Sequence, residues 1–268
     1  MRNRRESFEF TGKGVRILAR DFLSFLATSD RARYTQHADG ESKVSIHFTM
    51  AMDGLHRDIV AMCSKVEENI SAAVKGLQQR SGELAAELQV RDREVNNLDI
   101  HIEEECLRIL ALYHPVANDL RRVTAVLKIA GELERVGDIA VNLADRAASI
   151  SLFPEFPMPQ LLSEMTDKAL AMLHQSIDAY VDLDSTLARQ VCANDDEVDR
   201  LNVALLQRVR EEITQNVKIA EPGMHLFSAI RQIERVADHA TNISEDVVYL
   251  VEGIIIRHGG ASEATAKS

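Results

Sequence analysis

The chain has 268 residues, with 42 acidic against 31 basic side chains, a formal net charge of −11 and a pI near 5.3. Such a balance argues against attachment to nucleic acid through a general basic field, because neutralising phosphates takes clustered Lys and Arg. No Trp, only 8 Phe and 4 Tyr, 5 Pro, 12 Gly and 46% hydrophobic residues point to a helical globular protein rather than a β-sandwich.

Residues 1–39 carry a net +3, which leaves −14 on the rest. An apolar stretch from Val15 to Leu26 is interrupted by Arg16, Arg20 and Asp21, so it reads as neither signal peptide nor anchor. Residues 1–46 are expected to be a basic, poorly ordered extension. From Phe48 onward, Met52, Leu55, Ile59, Met62, Val66, Ile70, Val74 and Leu77 recur at threes and fours, one stripe of a long helix. Ser81 and Gly82 interrupt it. A second helix is predicted over 83–113, with Leu84, Leu88, Val95, Leu98, Ile102, Cys106, Ile109 and Leu112 inward. Pro115 suits the first turn of a third helix, where its missing N–H would be unpaired anyway. That helix continues through Val123, Leu127, Ala130, Leu133, Val136, Ala140 and Leu143 to about Ile150.

Three of the five prolines lie in residues 153–159, through which no helix can run. We expect a linker there, with a second trio of helices near 160–187, 192–217 and 224–256, and a flexible tail at 257–268. The predicted fold is all-α: two tandem antiparallel three-helix bundles, 47–152 and 160–256.

The trios look like copies. Glu134-Arg-Val-Gly-Asp138-Ile-Ala-Val-Asn142-Leu-Ala-Asp145 precedes Glu234-Arg-Val-Ala-Asp238-His-Ala-Thr-Asn242-Ile-Ser-Glu245 by 100 positions, and six of the twelve residues are identical. Asp92-Arg-Glu-Val-Asn96 on the second helix is echoed by Asp195-Asp-Glu-Val-Asp199 on the fifth. Spacing of four stacks Glu134, Asp138 and Asn142 on one face, with Asp145 close to the row, and likewise Glu234, Asp238, Asn242 and Glu245. Like charges at i, i+4 repel unless something positive covers them. Arg135 and Arg235 lie about 100° round the helix, off the row. A cation bound by carboxylate and amide oxygens would cover it, and such hard ligands suit Mg²⁺, Mn²⁺, Ca²⁺ or iron better than a structural zinc site. The plain alternative is a solvated acidic face, which duplication makes less favoured.

These residues, with His114-Pro115-Val-Ala-Asn-Asp119-Leu-Arg121, resemble the PhoU family, bacterial accessory and regulatory proteins of phosphate transport; the likeness covers about His47 to Gly253. It implies a cytoplasmic negative regulator of the phosphate-starvation response, often a homodimer. Such a protein bridges the ATPase subunit of the phosphate ABC transporter and a sensor histidine kinase, and reaches the membrane only through these partners. The resemblance also implies divalent or trivalent metal ions (Mg, Mn, Fe or Zn) held by Asp92, Glu134, Asp138, Asp195, Asp199, Glu234 and Asp238. Asn96, Asn142, Asp145, Asn242 and Glu245 are possible additional contacts. Asn96 departs from the family's acid, which predicts a weaker first site.

The competing function is a carboxylate-bridged metal-dependent hydrolase or oxidase. Against it, none of His101, His114, His174, His239 and His258 has an acid three residues before it, so the E-x-x-H of a helical di-iron enzyme is missing. H-E-x-x-H, P-loop, G-x-S-x-G and G-x-G-x-x-G are missing as well. We therefore expect no catalytic residues and no enzyme. A helical spacer without metal would leave the duplicated acids unexplained. Cys63, Cys106 and Cys192 form no C-x-x-C, so neither a disulfide framework nor a zinc knuckle is expected, and Cys63 and Cys106 fall on core stripes.

Overall fold

The structure, a computed structural model, describes residues 40–256. The Val15–Leu26 stretch and the tail from Arg257 lie outside them. Six α-helices follow one another: α1 (Gly40–Gln79), α2 (Ala85–Tyr113), α3 (Ala117–Ser151), α4 (Leu161–Asp182), α5 (Ser185–Gln215) and α6 (Ala220–Glu252). A 3₁₀ turn, Val217–Ile219, leads into α6, and among the described residues there is no strand. No described helix is long and apolar enough to cross a membrane.

The predicted stripes are the buried faces. Leu55, Ile59, Met62, Val66, Ile70 and Leu77 of α1 meet Leu88, Val95, Ile102, Cys106 and Ile109 of α2 and Val123, Leu133, Val136 and Leu143 of α3 in one core. Within each trio neighbouring helices run antiparallel. Lys65 and His101 tie α1 to α2 through Glu94 and Asp58, and Asn202 meets Glu234 between α5 and α6. Each trio buries its third helix, and α3 and α6 pack against each other, so the two bundles share a core. On a second edge α1 lies along α4, joined by Glu67 with His174 at 2.7 Å and Gln78 with Thr166 at 2.9 Å. Contacts gather the described residues from Lys43 to Ile256 into one compact unit.

Differences from the sequence-based expectation cluster at helix ends. α1 already begins at Gly40, inside the expected extension. Leu183, at φ 53°, ends α4 five residues early. Asp184 then caps α5 by accepting from the Thr186 and Leu187 N–H groups at 2.8 and 3.0 Å, so a two-residue link replaces the expected gap before Cys192. α6 starts at Ala220 and takes Pro222 into its first turn, while Pro115 stays ahead of α3. Leu112, expected inward, is 61% exposed, since Ile109 is buried and Tyr113 turns in to pack its ring at a tilt against Phe48. The proline-rich link is anchored by buried Phe156 and by Arg80, which donates to the Pro154 carbonyl.

Candidate functional site

α2 and α3 approach closely where Gly137 faces Asp92. A Cβ on Gly137 would sit 3.1 Å from Asp92 Oδ1 and 3.3 Å from Val95 Cγ1, so the missing side chain lets the acid of α2 lie against the row of α3. The first cluster comprises Asp92, Asn96 and Asp99 of α2 with Glu134 and Asp138 of α3. Asn96 Nδ2 donates to Asp92 Oδ2 at 3.1 Å, while Asp92 Oδ1 and Asn96 Oδ1 are buried without a hydrogen-bond partner. Burial, and then the Asp138 charge, push the Asp92 carboxyl above its ordinary range. Glu134 is raised by burial and by Asp138, Asp99 and Asp92, and Asp99 by burial and Glu103. Asn142 turns its amide to the Asp138 carbonyl at 2.9 Å, and Asp145 stands exposed one turn on.

α5 and α6 build the counterpart from Asp195, Asp199, Asn202, Glu234 and Asp238. Burial raises Asp195, with Asp238 and Asp199 adding to it. Asp238 is likewise raised by burial, Glu234 and Asp199 against the opposing pull of His239 and Arg231. Asn202, 4% exposed, lies with Nδ2 3.4 Å from Glu234 Oε1, and Arg231 Nη1 donates to the same oxygen at 2.9 Å. Asn202 Oδ1 and Glu234 Oε2 are buried without partners. Glu245 lies toward Cys192, whose thiol is pushed up to about 11 by burial, then by Glu245 and Asp195. Asn242 leaves the row: its amide donates to Glu132 Oε2 of α3 at 3.0 Å, beside His239 Nδ1 at 2.7 Å from that oxygen.

Each repeat thus joins two helices through four carboxylates and one amide. Buried oxygens without donors are the groups a cation would satisfy. As the side chains stand, no three His, Cys, Asp or Glu among the described residues are arranged to hold a metal ion, so closing either cluster on one requires side-chain rotation. Reading from sequence missed Asp99 and Asn202. Both were findable by carrying the echo between the second and fifth helices three residues further, from Asn96 to Asp99 and from Asp199 to Asn202. Asn96 therefore does not set the first repeat apart, because Asn202 gives the second its own amide. Arg231 was also missed, three residues before Glu234 on the same helix.

Comparison with known proteins places this architecture. The family model of the PhoU domain matches residues 59–147 and 162–247. A phosphate-specific transport system accessory protein PhoU homolog of Pseudomonas putida is 32% identical over 225 residues, spanning 84% of this chain and 88% of that protein. The crystal structure of PhoU from Pseudomonas aeruginosa superposes with a TM-score of 0.75 at 31% identity, covering 77% of this chain and all of that one. That of the phosphate transport system regulatory protein PhoU from Streptococcus pneumoniae gives 0.71 at 26% identity, over 78% of this chain and 98% of the other.

Proposed function

The chain belongs to the PhoU family, and from that membership we propose that it is an accessory regulator of phosphate transport that holds the phosphate-starvation response off when phosphate is plentiful. In this reading it is a cytoplasmic homodimer that docks between the ATPase subunit of the phosphate ABC transporter and its sensor histidine kinase. It carries metal ions as ligands and performs no chemistry of its own. The observation that supports the metal is the matched pair of clusters with buried oxygens lacking donors: Asp92 and Asn96 in one repeat, Asn202 and Glu234 in the other.

Asp92, Asp99, Glu134 and Asp138 would hold the ion in the first repeat, and Asp195, Asp199, Glu234 and Asp238 in the second. A bound cation supplies positive charge that cancels their mutual repulsion. Carboxylates raised by burial and by each other give up that strain when the cation binds, so affinity falls as pH drops through their raised range. Phosphate status reaches such a protein through the transporter, since these faces repel free phosphate.

Deletion of the gene tests the function: alkaline phosphatase should rise in high phosphate and return to baseline on complementation. The Glu134→Ala/Asp138→Ala/Glu234→Ala/Asp238→Ala variant should complement poorly and purify without the metal that the unaltered protein retains. A flat response to deletion would overturn the regulatory role, and equal metal in both proteins would overturn the ligand assignment.

A further inference from the structure

The two clusters are matched in carboxylates and amides, and the Arg135 charge reaches Glu134 in the first, but among the described residues only the second has an arginine hydrogen-bonded to one of its carboxylates. Arg231 sits three residues before Glu234 on α6 and donates Nη1 to Glu234 Oε1 at 2.9 Å, and its charge also reaches Asp238. The homologous position one hundred residues earlier is Gly131, around which a Cβ would meet nothing within 4 Å. Glu134 and Asp138 thus lack the equivalent arginine, and the space for one is open.

We infer that Arg231 is a built-in counter-ion that competes with metal for the second cluster, so that the first repeat is the high-affinity site and the second the weaker, displaceable one. The inference rests on the metal-binding reading above and reverses the order that Asn96 alone suggested. The geometry has three parts. Glu234 is only 13% exposed and Asn202 4%, so the oxygen that Arg231 occupies belongs to the inner part of the cluster rather than its rim. Two oxygens beside it, Glu234 Oε2 and Asn202 Oδ1, remain buried without donors, so Arg231 satisfies the cluster incompletely and leaves a reason for a metal to bind. The Arg231 side chain is itself 49% exposed, so it can swing to solvent when a cation takes Glu234. Holding this long, flexible side chain in one geometry is worth little near a surface, which makes it a competitor that a divalent ion can displace.

The test is Mn²⁺ titration of the full chain, one cluster at a time. Glu134→Gln/Asp138→Asn leaves only the second cluster to be measured, and Glu234→Gln/Asp238→Asn only the first. The first cluster should bind Mn²⁺ more tightly than the second. In the background that reports the second cluster, Arg231→Ala should tighten binding by about 2- to 5-fold, the worth of one partly exposed ion pair. Arg231→Lys should restore most of the weaker affinity, which a merely structural role of the side chain would not predict. Gly131→Arg should weaken the first cluster by a similar factor. Mn²⁺ binding that Arg231→Ala leaves unchanged would overturn the competitor role while leaving the metal reading intact. Failure of either cluster to bind Mn²⁺ in the unaltered protein would overturn both.

Discussion

The two repeats use homologous positions for different work. Where the first has Gly131, Glu132, Gly137 and Ile139, the second has Arg231, Gln232, Ala237 and His239. In the first, glycine removes bulk so that α2 can lay Asp92 on α3; in the second, arginine supplies charge to the row. Glu132 and His239 reach across the shared face to each other at 2.7 Å, and neither has its own duplicate opposite an equivalent partner, since the reciprocal positions are Gln232 and Ile139. Duplication preserved the core and the carboxylates while the second turn of substitutions made the halves unequal.

That contrast can be broken at several depths. Leu133 and Ile233 are equivalent and both fully buried, so Leu133→Ala and Ile233→Ala should each cost about 2–5 kcal/mol in urea unfolding. A loss confined to one would show that the halves are not energetically matched. Gly82 belongs to the first repeat alone: a Cβ there would sit 2.7 Å from Ala148 Cβ and 2.9 Å from its Cα, so Gly82→Ala should cost about 1–3 kcal/mol by the same measurement.

A smaller effect separates the clusters from the core. In metal-free protein, Asp92 and Glu134 bind protons more readily folded than unfolded, so their contribution to stability is full below the ordinary carboxylate range and lost as pH rises through the raised values. Asp92→Asn/Glu134→Gln should therefore raise the Tm of metal-free protein at pH 7, by the equivalent of a few tenths of a kcal/mol per relieved pair, with the advantage fading as pH falls through the raised range of the two carboxyls. A pH-independent difference in Tm would assign the change to packing. Least of all should be His174→Gln, which removes a half-exposed bridge to Glu67. Burial opposes the charged imidazole, but Glu67 and Asp178 outweigh it and hold His174 above its ordinary value. The bridge is worth about 0.2–1 kcal/mol below pH 6.5 and vanishes as pH rises through that raised value. An effect that persists at pH 9 would mean that hydrogen bonding, not charge, joins α1 to α4.

The helical stripes were legible in the sequence because spacing by threes and fours survives any local detail: Leu55 to Leu77 and Val123 to Leu143 are buried as their period requires. The carboxylate rows were legible for the same reason, since position on a helix fixes which residues share a face. Where a helix stops depends on single residues whose role is set by what they meet. Leu183 adopts a left-handed conformation that no leucine advertises, and Asp184 is one acid among many until it accepts two backbone N–H groups. Asn242 shows the limit for the site: its place on the wheel is next to Asp238, but the partly buried Glu132 carboxylate on α3 claims its amide. Partners across an interface carry no periodicity along one helix.

Four polar contacts are strung along the seam between α3 and α6: Lys128 with the buried Asp246 at 3.1 Å, Glu132 with His239 and with Asn242, and Arg146 Nη1 with His225 Nδ1 at 3.4 Å. They run in opposite order along the two helices, as the teeth of two racks do when meshed head to tail. Sliding one helix along the other would have to unseat all of them together. Glu132 stands two residues from Glu134, and His239 follows Asp238 directly. The two clusters are therefore mounted on one meshed pair of rods, and the distance between them is a fixed property of the molecule.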